Sequence, residues 1–243
     1  MEVMPSFMNS GSGTSSTAPL TVYRYERKYL SDVYDPDQLE QRLLMHPDIF
    51  RPAFVPRQIW TLYFDTPEYE YYQQNLLGQP QRVKARVRWY SDKDNKLDKL
   101  QIELKRRDGE VMLKLTYPFQ TTIKDLSLAE LTDLVRQQLE THLEESGSLQ
   151  PALLNHYQRR YFTSAQNDLR ITIDSDLHFA TITDWENNLT TRQLPITILE
   201  AKYPISDDTK LPSLAQGLPL RVSKSSKFVM GMQQCHPNDV YYH

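Results

Sequence analysis

From Arg82 to Tyr90 the chain reads RVKARVRWY, with Arg82, Lys84, Arg86 and Arg88 on every second position and Val83, Ala85, Val87 and Trp89 between them. Side chains of a β-strand alternate between two faces, so this segment specifies a strand with one cationic and one apolar face. The apolar face requires cover by other elements. The cationic face must then look either into water or into the interior of a closed sheet.

Other alternating segments decide between these. TVYRYERKYL (21–30), RQIWTLYFDT (57–66), KLQIELKRR (99–107), VMLKLTYPF (111–119), LRITIDSDLHFA (169–180) and PITILEAKYP (195–204) are rich in β-branched and aromatic residues, with turn-forming residues between them. Asp108-Gly109 marks a tight hairpin, and SDKDNK (91–96) reads as a second turn. Arg24, Glu26 and Lys28 share a face, as do Gln101, Glu103 and Lys105, while Lys114, Glu200 and Lys202 extend the pattern. Several strands with a polar, mostly cationic face and apolar residues behind it describe a barrel charged on the inside. Crowded cations repel one another unless a polyanion shares the space, so the expected ligand is rich in phosphate.

Helices are expected on the outside. DPDQLEQRLLMH (35–46) offers Asp35 as N-cap and Pro36 at the first helical position. Leu128, Leu131, Val135, Leu139 and Leu143 recur at helical spacing over 125–145, and 209–217 and 227–235 are weaker helical segments. Residues 1–20, rich in Gly, Ser and Thr, read as a flexible tail preceding one domain over 21–243. YEYYQQN (69–75) has two readings, a stacking surface for a nucleobase or a packed helix, the second being the commoner use of such aromatics.

Composition narrows the function. A net charge of −3 exerts no global pull on nucleic acid, and no recognition-helix or RNA-binding motif is present, so no nucleic-acid partner is expected. No segment approaches the roughly 20 apolar residues of a membrane-spanning helix. One cysteine, Cys235, leaves no internal disulfide and suits a reducing compartment such as the cytoplasm. The histidines lack metal-ligand spacing, and no glycine-rich phosphate loop occurs. Glu26, Glu103 and Glu200 instead offer the oxygen ligands that Mg²⁺ or Mn²⁺ takes beside phosphate oxygens, although each could equally pair with a strand cation.

YERKYL (25–30), LYFDT (62–66), KARVRWY (84–90), IELK (102–105), Lys114, YQRRYF (157–162), LRITID (169–174), LEAKY (199–203) and SKSSKF (223–228) follow one another in an order that resembles a known family. It is the polyphosphate-polymerase domain of the vacuolar transporter chaperone (VTC) complex, one of the triphosphate tunnel metalloenzymes. The resemblance implies an α+β fold: an eight-stranded antiparallel β-barrel forming a triphosphate tunnel, with helices packed outside. It implies a metal-dependent phosphotransferase, a polyphosphate polymerase that moves the γ-phosphate of ATP onto phosphate or a growing polyphosphate chain. A triphosphatase or polyphosphatase, or a non-catalytic polyphosphate or pyrophosphate binder, is the alternative.

Carried over by motif, Lys28, Arg86, Arg88, Lys105, Lys114, Arg159, Arg170 and Lys202 would act on the reacting phosphates. Arg24, Lys84, Lys224 and Lys227 would bind substrate, and Glu200, assisted by Glu26 and Glu103, would hold Mn²⁺ or Mg²⁺. Arg159 is preferred to its neighbour Arg160 because it follows Tyr157 by two residues, as in the family motif. Arg24 stands where the wider superfamily often has a first glutamate, which disfavours a two-metal triphosphatase. A membrane partner protein is compatible with the resemblance.

Overall fold

The computed structural model describes residues 24–91, 100–109, 111–166, 169–183, 190–204 and 220–236. The segments 1–20 and 209–217 and most of the turn at 91–96 lie outside the described residues. Among the described residues ten strands form one antiparallel sheet: β1 (Arg24–Ser31), β2 (Arg51–Asp65), β3 (Arg82–Ser91), β4 (Gln101–Asp108), β5 (Val111–Pro118), β6 (Gln150–Thr163), β7 (Arg170–Ala180), β8 (Arg192–Leu194), β9 (Thr197–Pro204) and β10 (Arg221–Ser223). Their spatial order is β10-β1-β9-β7-β6-β2-β3-β4-β5, with β8 beside β7. Eight are long, as the tunnel resemblance implies, and β8 and β10 are three-residue additions.

The sheet is curled. In the strand order β1 and β4 are separated by five strands, which in a flat sheet would place them about 29 Å apart. Instead the charges of Glu26 on β1 and Lys202 on β9 act directly on Lys105 of β4. The two walls therefore face each other across a barrel-like interior. Among the described residues no pairing joins β5 to β10.

RVKARVRWY forms β3 with the expected two faces: Val83, Ala85, Val87 and Trp89 are buried in the outer core, and Lys84, Arg86 and Arg88 are half-buried on the other side. Among the described residues, helices cover the sheet from outside. α1 (Pro36–Leu44) is capped by Asp35, whose side chain accepts the backbone N–H of Gln38 at 2.8 Å, and it buries Leu39 and Leu43 against Ile171, Ile173 and Leu199. α2 (Glu70–Leu76) is held by Asp65 of LYFDT, which accepts backbone N–H groups of Thr66, Tyr71 and Tyr72 at 2.8–2.9 Å. Tyr71 and Tyr72 are fully buried, so YEYYQQN is the packed helix and not a stacking surface. α3 (Leu128–Leu139) starts at a Ser127/Glu130 capping box and is shorter than its 125–145 periodicity. Residues beyond it turn through a short 3₁₀ segment at Ser146–Ser148.

α4 (Lys227–Cys235) coincides with the segment read as helical at 227–235 and packs against β6 and β7. Phe228 stacks on Tyr63 with ring centroids 4.8 Å apart, and Gly231 lies against Phe179 and Leu153. The Asp108-Gly109 hairpin joins β4 to β5, with Gly109 at φ +59, where an L side chain would be strained.

Candidate functional site: a cationic interior

Register delivers the charged residues to the interior in three clusters. β3 and β4 pair Lys84 with Lys105, Arg86 with Glu103 and Arg88 with Gln101, and β5 adds Lys114 opposite Lys105. Glu103 is the hub of the first cluster. Its Oε2 accepts from Arg86 Nε at 2.6 Å and Nη2 at 2.5 Å and lies 3.5 Å from Arg88 Nη1, while Lys114 Nζ sits 3.1 Å from Oε1. Burial alone would raise the Glu103 pKa, but Arg86, Arg88, Lys114 and Lys105 hold the carboxyl far below its ordinary range. Glu103 therefore stays ionised and orients Arg86 as a fork.

The second cluster lies on β1 and β9, where Glu26 pairs with Lys202 and Lys28 with Glu200. Lys28 Nζ is 3.2 Å from Glu26 Oε1, and Lys202 Nζ is 2.7 Å from Glu200 Oε1 and 3.6 Å from Glu26 Oε2. Burial works against charge on Glu200, yet Lys202, Lys28, Arg159 and Lys227 bring its pKa well below the usual carboxylate value. Glu26 is also lowered, against burial and the nearby Glu200, by Lys28, Lys202 and Lys105. Opposite this pair, burial pushes the Lys105 pKa down to about 7; Glu26 resists that shift, and Arg86, Lys202 and Lys28 add to it.

The third cluster joins Arg159 and Lys227, both named above from the resemblance, to Asp174 and Tyr157, which the sequence reading missed. Asp174 on β7, fully buried, accepts from Arg159 on β6 through both oxygens, Nε to Oδ1 at 2.6 Å and Nη2 to Oδ2 at 2.7 Å. Lys227, at the start of α4, donates to Asp174 Oδ2 at 2.6 Å. Both cations also sit over the Tyr157 ring, 5.4 Å and 4.5 Å from its centroid. Alternation in LRITID, which places Asp174 on the face of Arg170 and Thr172, was the available signal for Asp174. The spacing of Tyr157, Arg159 and Tyr161 in YQRRYF was the signal for Tyr157.

The structure thus brings Lys28, Arg86, Arg88, Lys105, Lys114, Arg159, Lys202 and Lys227 to one interior. Lys84 faces the same side, with Nζ 3.0 Å from Ser226 Oγ. Arg160 lies on the opposite face, paired with Asp37 and Glu40 of α1. Arg170 shares the interior face of β7 but is exposed at its end, and Lys224 is exposed before α4. Arg24 is in β1 opposite Pro204, and its side chain lies outside the described residues.

The three glutamates do not converge. Glu26 and Glu200 share the β1–β9 wall, whereas Glu103 is engaged by Arg86, Arg88 and Lys114, and among the described residues no three His, Cys, Asp or Glu side chains form a metal-ligand group. Glu26 Oε2 is buried without a hydrogen-bond partner, as are Thr61 Oγ1 and Thr172 Oγ1 on interior-facing positions. A buried polar atom without a hydrogen bond is costly; a bound cation would satisfy the carboxylate oxygen, and a bound anion would accept from the threonine hydroxyls. The Glu26–Glu200 pair fits one divalent cation that draws its remaining ligands from phosphate.

The model of the VTC domain family matches residues 23–236. The chain belongs to the VTC domain family. No curated protein sequence matches this VTC domain. Its fold is similar to that of a Hippeastrum protein named as an adenylyl cyclase and described as having a dominant triphosphatase activity. Identity to it is 14%, the match covers 90% of this chain and 99% of that one, and the TM-score is 0.53. A Vibrio parahaemolyticus protein, also named as an adenylate cyclase, is 14% identical over 84% of this chain and 94% of its own, with a TM-score of 0.48. The VTC domain has the fold that the resemblance implies, a barrel-like antiparallel sheet with helices outside, curled but not closed among the described residues.

Proposed function

We propose that this VTC domain is a polyphosphate polymerase that transfers the γ-phosphoryl group of ATP to inorganic phosphate or to the end of a polyphosphate chain. One observation carries the reading: Lys28, Lys84, Arg86, Arg88, Lys105, Lys114, Arg159, Lys202 and Lys227 face one interior that holds the carboxylates Glu26, Glu103, Asp174 and Glu200. This positive excess in a partly desolvated space is relieved by a polyanion.

In the transfer, the bond from Pγ to the β–γ bridging oxygen breaks as a new bond forms from Pγ to an acceptor phosphate oxygen. ADP leaves, and any proton on the acceptor oxygen is released to solvent. Such a reaction needs alignment and charge neutralisation more than covalent participation. Arg86 and Arg159, each clamped by a carboxylate, present fixed forks to the phosphate oxygens. Lys28, Lys105, Lys114 and Lys202 supply adjustable point charges, so a chain can be held and still advance. Glu200 and Glu26 would hold Mn²⁺ or Mg²⁺, which when bound would offset charge on the β and γ oxygens.

Hydrolysis is the second reading, with water in the acceptor's place. It is favoured by the triphosphatase activity described for the Hippeastrum protein of similar fold. Incubation of purified protein with ATP and Mn²⁺ separates the two: polymerase activity yields ADP and long-chain polyphosphate, hydrolysis yields ADP and phosphate alone. Tight binding of ATP or polyphosphate with no turnover under any metal would show a binding module. Absence of both binding and turnover would refute the reading.

A further inference from the structure

We infer that the rim of the interior formed by β2, β3 and β6 carries a nucleoside-binding collar built from Phe54, Arg57, Tyr90 and Tyr161. The inference rests on the tunnel reading above and assigns the part of the substrate that is not phosphate. Phe54 is 64% exposed although aromatic, and its described ring contact is the edge of Tyr161, with centroids 5.6 Å apart at 84°. Phe54 stands opposite Tyr161 in the β2–β6 register, beside the Arg57–Arg159 pair, so it belongs to the interior face.

A bulge sets its position. The register shifts between Phe54 and Arg57, where Val55 and Pro56 stand against the single residue Arg160, one residue in excess; Pro56 has no N–H for the ladder and suits such a place. Arg57, exposed, lies over the Tyr90 ring at 5.8 Å from its centroid. Tyr161 is electrostatically in touch with Arg159, Tyr90, Tyr157 and Arg57 together, which ties the rim to the deeper phosphate cluster.

Spacing gives the collar its ligand. Arg159 and Tyr161 are two residues apart on one face, about 6.6 Å along the strand, and Phe54 lies at the level of Tyr161. A triphosphate whose phosphates reach Arg159 would leave its sugar and base at the height of Tyr161, Tyr90 and Phe54. Aromatic rings and a guanidinium at that height offer a stacking surface that every base can use, so the collar would favour nucleoside triphosphates over bare tripolyphosphate without reading the base closely. A polyphosphate chain has no π-face and gains nothing from the collar.

Calorimetric titration with a non-hydrolysable ATP analogue and, separately, with tripolyphosphate tests this. Phe54→Ala and Tyr161→Leu should each weaken binding of the ATP analogue about tenfold while leaving tripolyphosphate affinity within about twofold. Tyr161→Phe, which keeps the ring, should retain the wild-type affinity for both. Phe54 is a surface residue, so its replacement keeps the test valid if Tyr161→Leu fails to fold. Equal losses for the two ligands, no loss for either, or a wild-type protein that binds tripolyphosphate but not the ATP analogue overturns the collar alone. A wild-type protein that binds neither overturns the tunnel reading with it.

Discussion

Asp174 grips Arg159 through two parallel hydrogen bonds of 2.6 Å and 2.7 Å in a place with no solvent exposure, and the same carboxylate seats Lys227 at the start of α4. Burial works to raise its pKa, and the two cations overcome this and lower it. Removing the charge would leave two cations facing a neutral side chain. Asp174→Asn should therefore cost about 3 to 5 kcal/mol of stability, the usual consequence of breaking a buried ion pair from one side. Denaturant unfolding checks this.

Arg86 is the guanidinium that Glu103 aims most directly, and Lys202 is its counterpart on the opposite wall. Arg86→Ala and Lys202→Ala should each lose about 2 to 4 kcal/mol of transition-state stabilisation, roughly 30-fold to 1,000-fold in kcat/KM for ATP. Wild-type rates in both variants would remove these residues from the reaction.

Gly231 has no room for a side chain. A Cβ there would lie 2.5 Å from Leu153 Cδ2 and closer still to Phe179 Cδ1. Gly231→Ala should push α4 away from β6 and β7, costing about 1 to 3 kcal/mol, and should weaken tripolyphosphate binding by displacing Lys227. Thermal unfolding and calorimetry read the two effects separately.

A pH effect arises on the outer wall. His156 stacks on His178 with centroids 4.6 Å apart, lies 4.2 Å from Trp60, and has Nδ1 3.4 Å from Gln58 Nε2; His178 in turn contacts Asp176 and Thr191. Burial, reinforced by His178, pushes the His156 pKa down to about 4 from 6.5, although Asp176 opposes the shift. The unfolded chain then takes up this proton first, so stability falls as pH drops from about 6.5 toward 4. Between pH 6.5 and 5 the loss should be on the order of 2 kcal/mol. His156→Gln should flatten that slope in unfolding midpoints measured over the same range.

Period-2 patterning made the β3 wall legible from RVKARVRWY alone, because the strand is regular over its length. It fails on LRITIDSDLHFA. Strict alternation would put Asp174, Asp176 and His178 on one face, but Asp176 adopts φ 54 where the β6–β7 register shifts, so Asp174 points inward and His178 joins His156 outside. Partnerships across long sequence separations were equally hidden. That Glu103 answers Arg86, rather than joining Glu26 and Glu200, follows from the curl and pairing of strands, and Lys227 reaches Asp174 only because α4 returns to the sheet. Asp65 in LYFDT, part of a recognisable motif, holds the start of α2 and touches none of the charged clusters described above.

The most direct measurement is a crystal structure with a non-hydrolysable ATP analogue and Mn²⁺. The account predicts phosphates between the β1–β9 wall and the β3–β4 wall, within reach of Lys28, Arg86, Arg159 and Lys202, with the ion on Glu200 and Glu26. Phosphates found only on the outer surface, with the interior cations still paired among their own carboxylates, would contradict it.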